Sequence, residues 1–142
     1  MRNVHQMVKS VRPTTEISAA VFKNPVHSGR FIGQDWREFT PYVDTMIPMD
    51  YRDHFPGTMD HYLALLSESI ERQKTWSQGS QRYLTGFAIW PLVRDPEPES
   101  ARADHFAETV RLVKAKNHDG CCVFCAGDMD KHGLWDVFQR EL

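Results

Sequence analysis

Polar and aromatic residues follow several short apolar runs in this sequence, at the positions where strands would end. Carboxylates in such places can act as an acid, a base or a nucleophile. Aromatic rings beside them can hold the flat apolar face of a ligand, and neighbouring cations and amides can anchor its polar groups. The residues in these positions are Lys23, Asn24, Asp50, Tyr51, Arg52, Asp53, Trp90 and Asp128.

Four apolar runs are predicted to be the strands that position these residues. They span residues 17–22, 43–49, 84–90 and 121–126, and helical patterns separate most of them. Strands that alternate with helices favour a parallel sheet covered by helices. The runs are continuously apolar, which is typical of strands buried on both faces. We therefore predict four parallel strands, adjacent and in chain order.

Helical spacing predicts the elements between these strands. Val4, Met7, Val8 and Val11 form one apolar stripe, and a second helix after Thr58 has its own stripe from Met59 to Ile70. Thr58 and Asp35 are the expected N-caps, Asp35 for a short helix that ends at residue 39. A further helix is expected from about residue 100 to residue 116, and a last short one carries residues 134–138. The segment 25–40 is otherwise expected to be a loop.

Two architectures fit this order of elements. One is an open α/β sheet, and the other is half of a (β/α)8 barrel of the TIM type, with about four βα units in residues 1–142. A whole barrel takes roughly 250 residues, and the chain opens with a helix that would normally follow a strand. The first strand ends at Phe22-Lys23-Asn24-Pro25 without the glycine-rich turn of a dinucleotide fold, and no P-loop is present. The half barrel is the preferred prediction, as a single partial domain.

The motifs of the chain are similar to a known family. Asp35-Trp36 and the stretch from Val43 to Tyr51 resemble family-10-like glycoside hydrolases near their sixth barrel strand. Met49-x-Tyr51 resembles the M-x-Y-D motif of family 18 chitinases, except that Arg52 stands where those enzymes have an aspartate. The stretches 86–90 and 119–124 look like the seventh and eighth strands. The resemblance covers nearly the whole chain, as barrel strands five to eight.

The resemblance implies a glycoside hydrolase whose complete domain cleaves O-glycosidic bonds of a poly- or oligosaccharide. Glycoside cleavage uses two carboxylates, and barrel active sites lie at the carboxyl ends of the strands. Asp50, Tyr51 and Asp53 are then the predicted catalytic residues. The predicted substrate-binding residues are Lys23, Asn24, Arg52, Trp90 and Asp128. The family's first four strands have no counterpart here, so the chain by itself is expected to be inactive.

Other interpretations remain open at this stage. Asp50 and Arg52 can instead form a structural ion pair, and Tyr51 and Trp90 can be core residues. The chain can also be a non-catalytic carbohydrate-binding module, a half barrel that needs a partner, or a small α/β enzyme of unrelated chemistry. A half barrel leaves two open edges and an uncovered apolar face. The expected partner is therefore the missing amino-terminal half-barrel or a second copy.

Composition excludes several classes of function. The net charge is -2, with 17 Lys and Arg against 19 Asp and Glu, so no basic surface favours nucleic acid. No apolar run approaches the roughly 20 residues of a membrane helix, and no secretory signal is visible, which leaves the compartment open. No cofactor or metal is predicted: Cys121, Cys122 and Cys125 fit small strand residues, and Asp128 and Asp130 lack the other ligands of a calcium loop.

Overall fold

Five strands form one parallel sheet in this computed structural model, which describes residues 1–89 and 101–142. The strands are β1 (Ser18–Phe22), β2 (Thr45–Met49), β3 (Arg82–Tyr83), β4 (Thr85–Ala88) and β5 (Cys121–Phe124). The sheet order is β1-β2-β4-β5, and β3 is a short piece that also pairs with β2. Each strand pairing in the described residues is parallel. The four predicted strands are therefore confirmed in direction and chain order for the described residues. The prediction that the last strand reaches residue 126 is wrong, because the strand ends at Phe124 and Ala126 begins a helix, and β3 lies outside the predicted runs.

Seven helices accompany these strands in the described residues. Two short 3-10 turns, Thr40–Tyr42 and Arg52–His54, lie on either side of β2. None of the described helices is both long enough and apolar enough to cross a bilayer. The helices are α1 (Arg2–Val11), α2 (Pro25–Ile32), α3 (Trp36–Phe39), α4 (Met59–Trp76), α5 (Arg102–Lys116), α6 (Ala126–His132) and α7 (Trp135–Glu141).

The helix α2 corrects the expectation of a loop after β1. The side chain of Asn24 accepts hydrogen bonds from the amides of Val26 and His27, at 3.1 and 3.0 Å, and so caps the helix. Pro25 occupies the first turn, where its missing N–H costs nothing. The helix ends at Gly33, whose φ of 73° suits a glycine in the left-handed region. Pro25 therefore begins a helix rather than only ending a strand.

The other predicted helix starts agree with the structure. The carboxylate of Asp35 accepts from the amide of Arg37 at 3.0 Å and caps α3. The hydroxyl of Thr58 accepts from the amide of His61 at 3.4 Å and caps α4. Both caps satisfy amides that a helix leaves without an internal partner. Local chemistry alone was enough to place these two boundaries.

The core lies on one face of the sheet. A larger cluster joins Tyr83, Phe87 and Ile89 to the apolar stripes of α4 and α5, and Met129 and Leu134 complete it. A smaller cluster joins Val21 and Met46 to other buried residues, Trp36 among them. Side chains alternate along a strand, so the residues between these core positions point to the opposite face. The sheet is therefore covered by helices on the face that carries the core.

The opposite face, which we call the open face, carries a different set of residues. Phe22, Met49, Gly86 and Cys122 are in register across the four strands and form one row of it. Phe22 is 39% exposed, whereas its neighbour Val21 is fully buried. Ser18 and Ala20 are exposed as well. The expectation that the strands are buried on both faces is thus wrong for β1, because the described helices pack against one side only.

Gly86 marks the closest approach between β2 and β4. A Cβ at this position would lie 2.6 Å from the carbonyl oxygen of Pro48 and 3.2 Å from the side chain of Ile47. The carbonyl of Gly86 in turn accepts from the amide of Asp50 at 2.7 Å, which ties the two strands at this point. Only glycine fits this position without moving backbone atoms.

We predict that Gly86→Ala destabilises the fold by about 1–3 kcal/mol, because the added methyl group forces the two strands apart. The measurement is urea unfolding followed by circular dichroism. Gly127→Ala is the matched control: nothing lies within 4 Å of the added Cβ in α6, so its stability should stay within about 0.5 kcal/mol of the parent or rise. Equal loss of stability in the two variants would contradict the argument.

Candidate functional site

The polar residues that follow β2 lie on both faces of the sheet. Asp50 and Tyr51 are adjacent in the chain, and alternation points them in opposite directions. Asp50 is fully buried on the helix side, where it contacts residues of α4. Tyr51 lies on the open side, where its ring stacks near Phe124 at the end of β5. The predicted site residues therefore form two clusters rather than one.

Asp50 belongs to a buried polar cluster that we call the α4 cluster, formed with Ser69, Gln73 and Tyr83. Its Oδ1 accepts hydrogen bonds from Gln73 Nε2 at 2.8 Å and from Ser69 Oγ at 3.2 Å. The hydroxyl of Tyr83 donates to Gln73 Oε1 at 2.5 Å. Asp50 Oδ2 is buried and has no hydrogen-bond partner among the described residues. A carboxyl group held in this way is well placed to support the fold.

Burial controls the charge of this carboxyl group. Loss of solvent raises the pKa of Asp50 to about 7, although the bonds from Gln73 and Ser69 and the charge of Lys23 oppose the rise. The effect of burial on the pKa is the largest, because moving an ionised carboxylate out of water is costly. Asp50 therefore changes protonation near neutral pH. Such a pKa is compatible with an acid or base, yet the carboxyl group faces α4 and not the open face.

Lys23 and Arg52 support the loop that follows β2. The ammonium group of Lys23 donates to the carbonyl of His54 and lies 3.3 Å from the centroid of the Phe55 ring. Burial lowers the pKa of Lys23, and the charge of Asp50 counteracts that effect. The guanidinium of Arg52 donates to the carbonyls of Phe55 and Gly57, at 3.0 and 2.5 Å. Both predicted substrate-binding cations thus stabilise a turn of the backbone.

The second cluster, which we call the ring cluster, consists of Tyr51, His54 and Phe124. The Tyr51 and Phe124 rings are 6.1 Å apart between centroids and inclined by only 19°. The His54 ring stacks on Tyr51 at 5.4 Å and 26°. Phe124 is 53% exposed, so its ring has a free surface. These rings form a partly exposed apolar platform at the carboxyl end of the sheet.

Asp53 adds a carboxylate next to the ring cluster. It is exposed, and its Oδ1 lies 3.9 Å from Nε2 of His54. Nδ1 of the same ring lies 3.2 Å from the carbonyl oxygen of Met49. Burial raises the pKa of Tyr51, with the neighbouring Cys122 and Asp53 adding to the effect. An aromatic platform, an imidazole and an accessible carboxylate therefore lie at one edge of the sheet.

The remaining predicted residues lie outside both clusters. Asn24 uses its side-chain oxygen to cap α2. Asp128 is half-buried in the first turn of α6, with its Oδ2 3.6 Å from the sulfur of Cys125. Trp90 lies outside the described residues. The predicted catalytic residues Asp50 and Tyr51 do not lie together, because strand alternation places them on opposite faces of the sheet.

Sequence reasoning did not single out Ser69, Gln73, His54 and Phe124 as members of these clusters. Ser69 and Gln73 are polar residues one helical turn apart on the buried side of α4, and that interruption of an apolar face was the available signal. His54 lies in the loop after β2, and no motif in the sequence distinguishes it from the other histidines. Phe124 ends β5 two residues after Cys122 and therefore shares its face, so the alternation of β5 could have identified it.

No group of three metal-binding side chains was found among the described residues. Cys121, Cys122 and Cys125 are free thiols and are each half-buried. Burial raises the pKa of Cys121 to about 11, which keeps that thiol protonated at neutral pH. The cysteines therefore act as small strand and cap residues.

We predict that the stability of this protein falls as pH rises from about 4 to about 7, and that Asp50→Asn removes part of this slope. The folded Asp50 keeps its proton up to about pH 7, whereas an unfolded aspartate loses it near 3.9, so the native state binds more protons within this window. A shift of this size corresponds to about 4 kcal/mol at most. The measurement is urea unfolding at pH 5 and pH 8.

The comparison of parent and variant isolates Asp50, because all histidines are common to both proteins. Asp53→Asn is the control, since Asp53 is exposed and the substitution is chemically identical. It should keep the parent slope. An Asp50→Asn protein whose stability changes with pH as steeply as the parent would contradict the buried-carboxyl argument.

No protein family, curated protein or solved structure was found to match this chain. The resemblance to glycoside hydrolases, drawn from short sequence motifs, therefore stays a hypothesis. The described residues contain two candidate functional features, the buried α4 cluster and the exposed ring cluster.

Proposed function

We propose that this chain is the carboxyl-terminal half of a (β/α)8 barrel, and that its ring cluster holds a sugar unit of a poly- or oligosaccharide. The complete parent domain would belong to the glycoside hydrolases and cleave O-glycosidic bonds. In this assignment Tyr51 and Phe124 provide the apolar platform. Asp53 is the accessible carboxylate beside it.

The parallel sheet supports the half-barrel part of the proposal. Four strands in chain order, without the reversal of an open doubly wound sheet, are what half of a barrel would contain. Helices cover one face, as they cover the outside of a barrel. The open face then corresponds to the barrel interior. It ends in Tyr51 and Phe124 at the carboxyl edge, where barrel enzymes hold their substrates.

The near-parallel pair of Tyr51 and Phe124 is the single observation that carries the sugar-binding part. Sugar rings present a flat face of C–H groups that packs on aromatic rings, while their hydroxyls need polar partners at the rim. Here the imidazole of His54 and the carboxylate of Asp53 supply polar groups next to exposed aromatic surface. The site therefore combines both requirements within one loop and one strand end.

Burial of Asp50 favours a second candidate for the chain by itself, a carbohydrate-binding module without catalysis. Glycoside cleavage uses two carboxyl groups on opposite sides of the scissile bond. Asp50 is turned toward Ser69 and Gln73, and its predicted catalytic role finds no support in this geometry. Within residues 1–89 and 101–142, no second carboxylate is identified beside Asp53 on the open face. Binding without turnover is the expected behaviour of the isolated chain.

We predict that the chain binds at least one of cellohexaose, xylohexaose and chitohexaose without cleaving it, and that Tyr51→Ala and Phe124→Ala each weaken that binding at least tenfold. Each substitution removes one ring of the stacked pair. The measurements are calorimetric titration for affinity and chromatography of the sugar after incubation for cleavage.

His61→Ala serves as the control, because His61 is an exposed ring on the outer surface of α4. Its affinity should equal that of the parent. Absence of binding to all three oligosaccharides at millimolar concentration would defeat the proposal. Equal weakening in the His61 variant would show that the effect is not local to the ring cluster.

A further inference from the structure

The described sheet ends in two edge strands, β1 and β5, each paired on one side only. The amide of Phe22 donates to the side-chain oxygen of Gln34 at 2.9 Å and so points away from β2. Amides alternate in direction along a strand, which places those of Ser18 and Ala20 on the same outer side. Open edges of this kind are ready to pair with a further strand.

In the part of the chain that the structure describes, the exposed large apolar side chains lie on the elements beside these two edges. We call residues 1–32, which contain α1, β1 and α2, the β1 flank, and residues 121–142, which contain β5, α6 and α7, the β5 flank. Val4, Met7 and Val11 of α1 are 51, 70 and 76% exposed, and Phe31 of α2 is 68% exposed. Phe124, Trp135 and Leu142 are exposed on the β5 flank. Among the described residues, no large apolar side chain between positions 33 and 123 is similarly exposed.

The two flanks carry opposite charges. The β1 flank has five cationic residues and one acidic residue, and the β5 flank has four acidic residues and two cationic ones. Opposite charges attract the flanks to each other, whereas like flanks repel. The charged residues of the β1 flank are Arg2, Lys9, Arg12, Lys23 and Arg30, with Glu16. The charged residues of the β5 flank are Asp128, Asp130, Asp136 and Glu141, with Lys131 and Arg140.

We propose that two copies of this chain associate through these flanks, β1 of each copy pairing with β5 of the other, and so close an eight-stranded parallel barrel with a twofold axis. Four strands in chain order are half of the number that such a barrel needs. A twofold axis along the barrel produces two identical seams, and each seam brings a basic flank to an acidic one. All eight strands then end at one rim.

Side-by-side closure fits the molecule better than stacking of the two open faces. Four strands of four or five residues, spaced about 4.8 Å apart, present a face of only about 300 Å². A stable dimer buries about 800 Å² on each partner. Closure also buries the exposed apolar side chains of α1, α2 and α7 at both seams. The open face becomes the barrel interior. It also brings the ring clusters of both copies to the same rim.

A charge-swap experiment tests this pairing. In Arg2→Glu/Arg12→Glu/Arg30→Glu the β1 flank changes from five cations and one acid to two cations and four acids, so both seams of its own dimer repel. In Asp130→Lys/Asp136→Lys the β5 flank becomes basic, with the same result. An equimolar mixture of the two variants restores opposite charges at both seams. We expect the dimer dissociation constant to rise at least tenfold for each variant alone and to return within threefold of the parent in the mixture.

Sedimentation equilibrium over about 1–100 μM protein gives these constants, and circular dichroism checks that each variant is folded. Glu68→Lys, an exposed reversal on α4, is the control and should leave the constant unchanged. Ala20→Pro is a second variant: the lost amide points outward, so the fold keeps its ladder while pairing at β1 is blocked. It should weaken the dimer at least tenfold.

Four results would overturn the proposal. They are a parent chain that stays monomeric at 100 μM, a mass that grows beyond two copies with concentration, a mixture of the charge variants that does not recover, and a Glu68 variant that weakens as much as the flank variants. A monomer would leave a separate amino-terminal half-barrel as the occupant of the open face.

This inference rests on the half-barrel part of the proposed function, and the two can fail separately. A dimer that binds none of the three hexasaccharides would defeat the sugar-binding proposal alone. A monomer that binds one of them through Tyr51 and Phe124 would defeat the dimer alone.

Discussion

The side-chain amide of Gln73 ties the carboxyl ends of the strands to the helix layer. Its Nε2 lies 2.7 Å from the carbonyl oxygen of Lys23, just after β1, and 2.8 Å from Oδ1 of Asp50, just after β2. Its Oε1 accepts from the hydroxyl of Tyr83 in β3. One buried residue of α4 therefore contacts the chain just after two strands and a residue of a third. Because buried polar groups are costly unless they are paired, this set of contacts also selects one register of α4 against the sheet.

Side chains alternate along a strand, so two adjacent residues at the end of β2 have different roles. Asp50 turns inward and completes the α4 cluster, at the cost of burying a carboxyl group. Tyr51 turns outward and joins Phe124 and His54 in the ring cluster. Asp50 therefore supports the fold, whereas its neighbour Tyr51 belongs to the exposed ring cluster. The loop after β2 is in turn held by Arg52 and Lys23, through backbone carbonyls rather than through a ligand.

The covered and the open face of the sheet have different physical consequences. The covered face contains the two apolar clusters, and their burial supplies most of the stabilisation that such a fold obtains from the hydrophobic effect. The open face leaves Phe22 and Phe124 partly in water. Small residues such as Ala20 and Gly86 keep that face shallow, and no charged residue lies in the row from Phe22 to Cys122. A surface of this kind favours apolar partners over ions.

The sequence by itself determined the strands, their parallel direction and the starts of α3 and α4. Those features depend on local signals: apolar runs of strand length, and side chains at Asp35 and Thr58 that satisfy the first amides of a helix. The helix α2 also had a local signal, because Asn24-Pro25 is a suitable helix start. The same proline is equally typical of a strand end, so the signal did not decide between the two.

Only the tertiary structure decided which side of the sheet is covered, and therefore what Asp50 and Tyr51 do. Alternation in the sequence says that the two residues face opposite ways, yet it does not say which way leads to the helices. That choice depends on contacts between residues far apart in the chain, such as Asp50 with Gln73 and Tyr51 with Phe124. Both residues look alike from the sequence because both directly follow a strand. Packing of α4 on one face makes the first a buried support and leaves the second exposed.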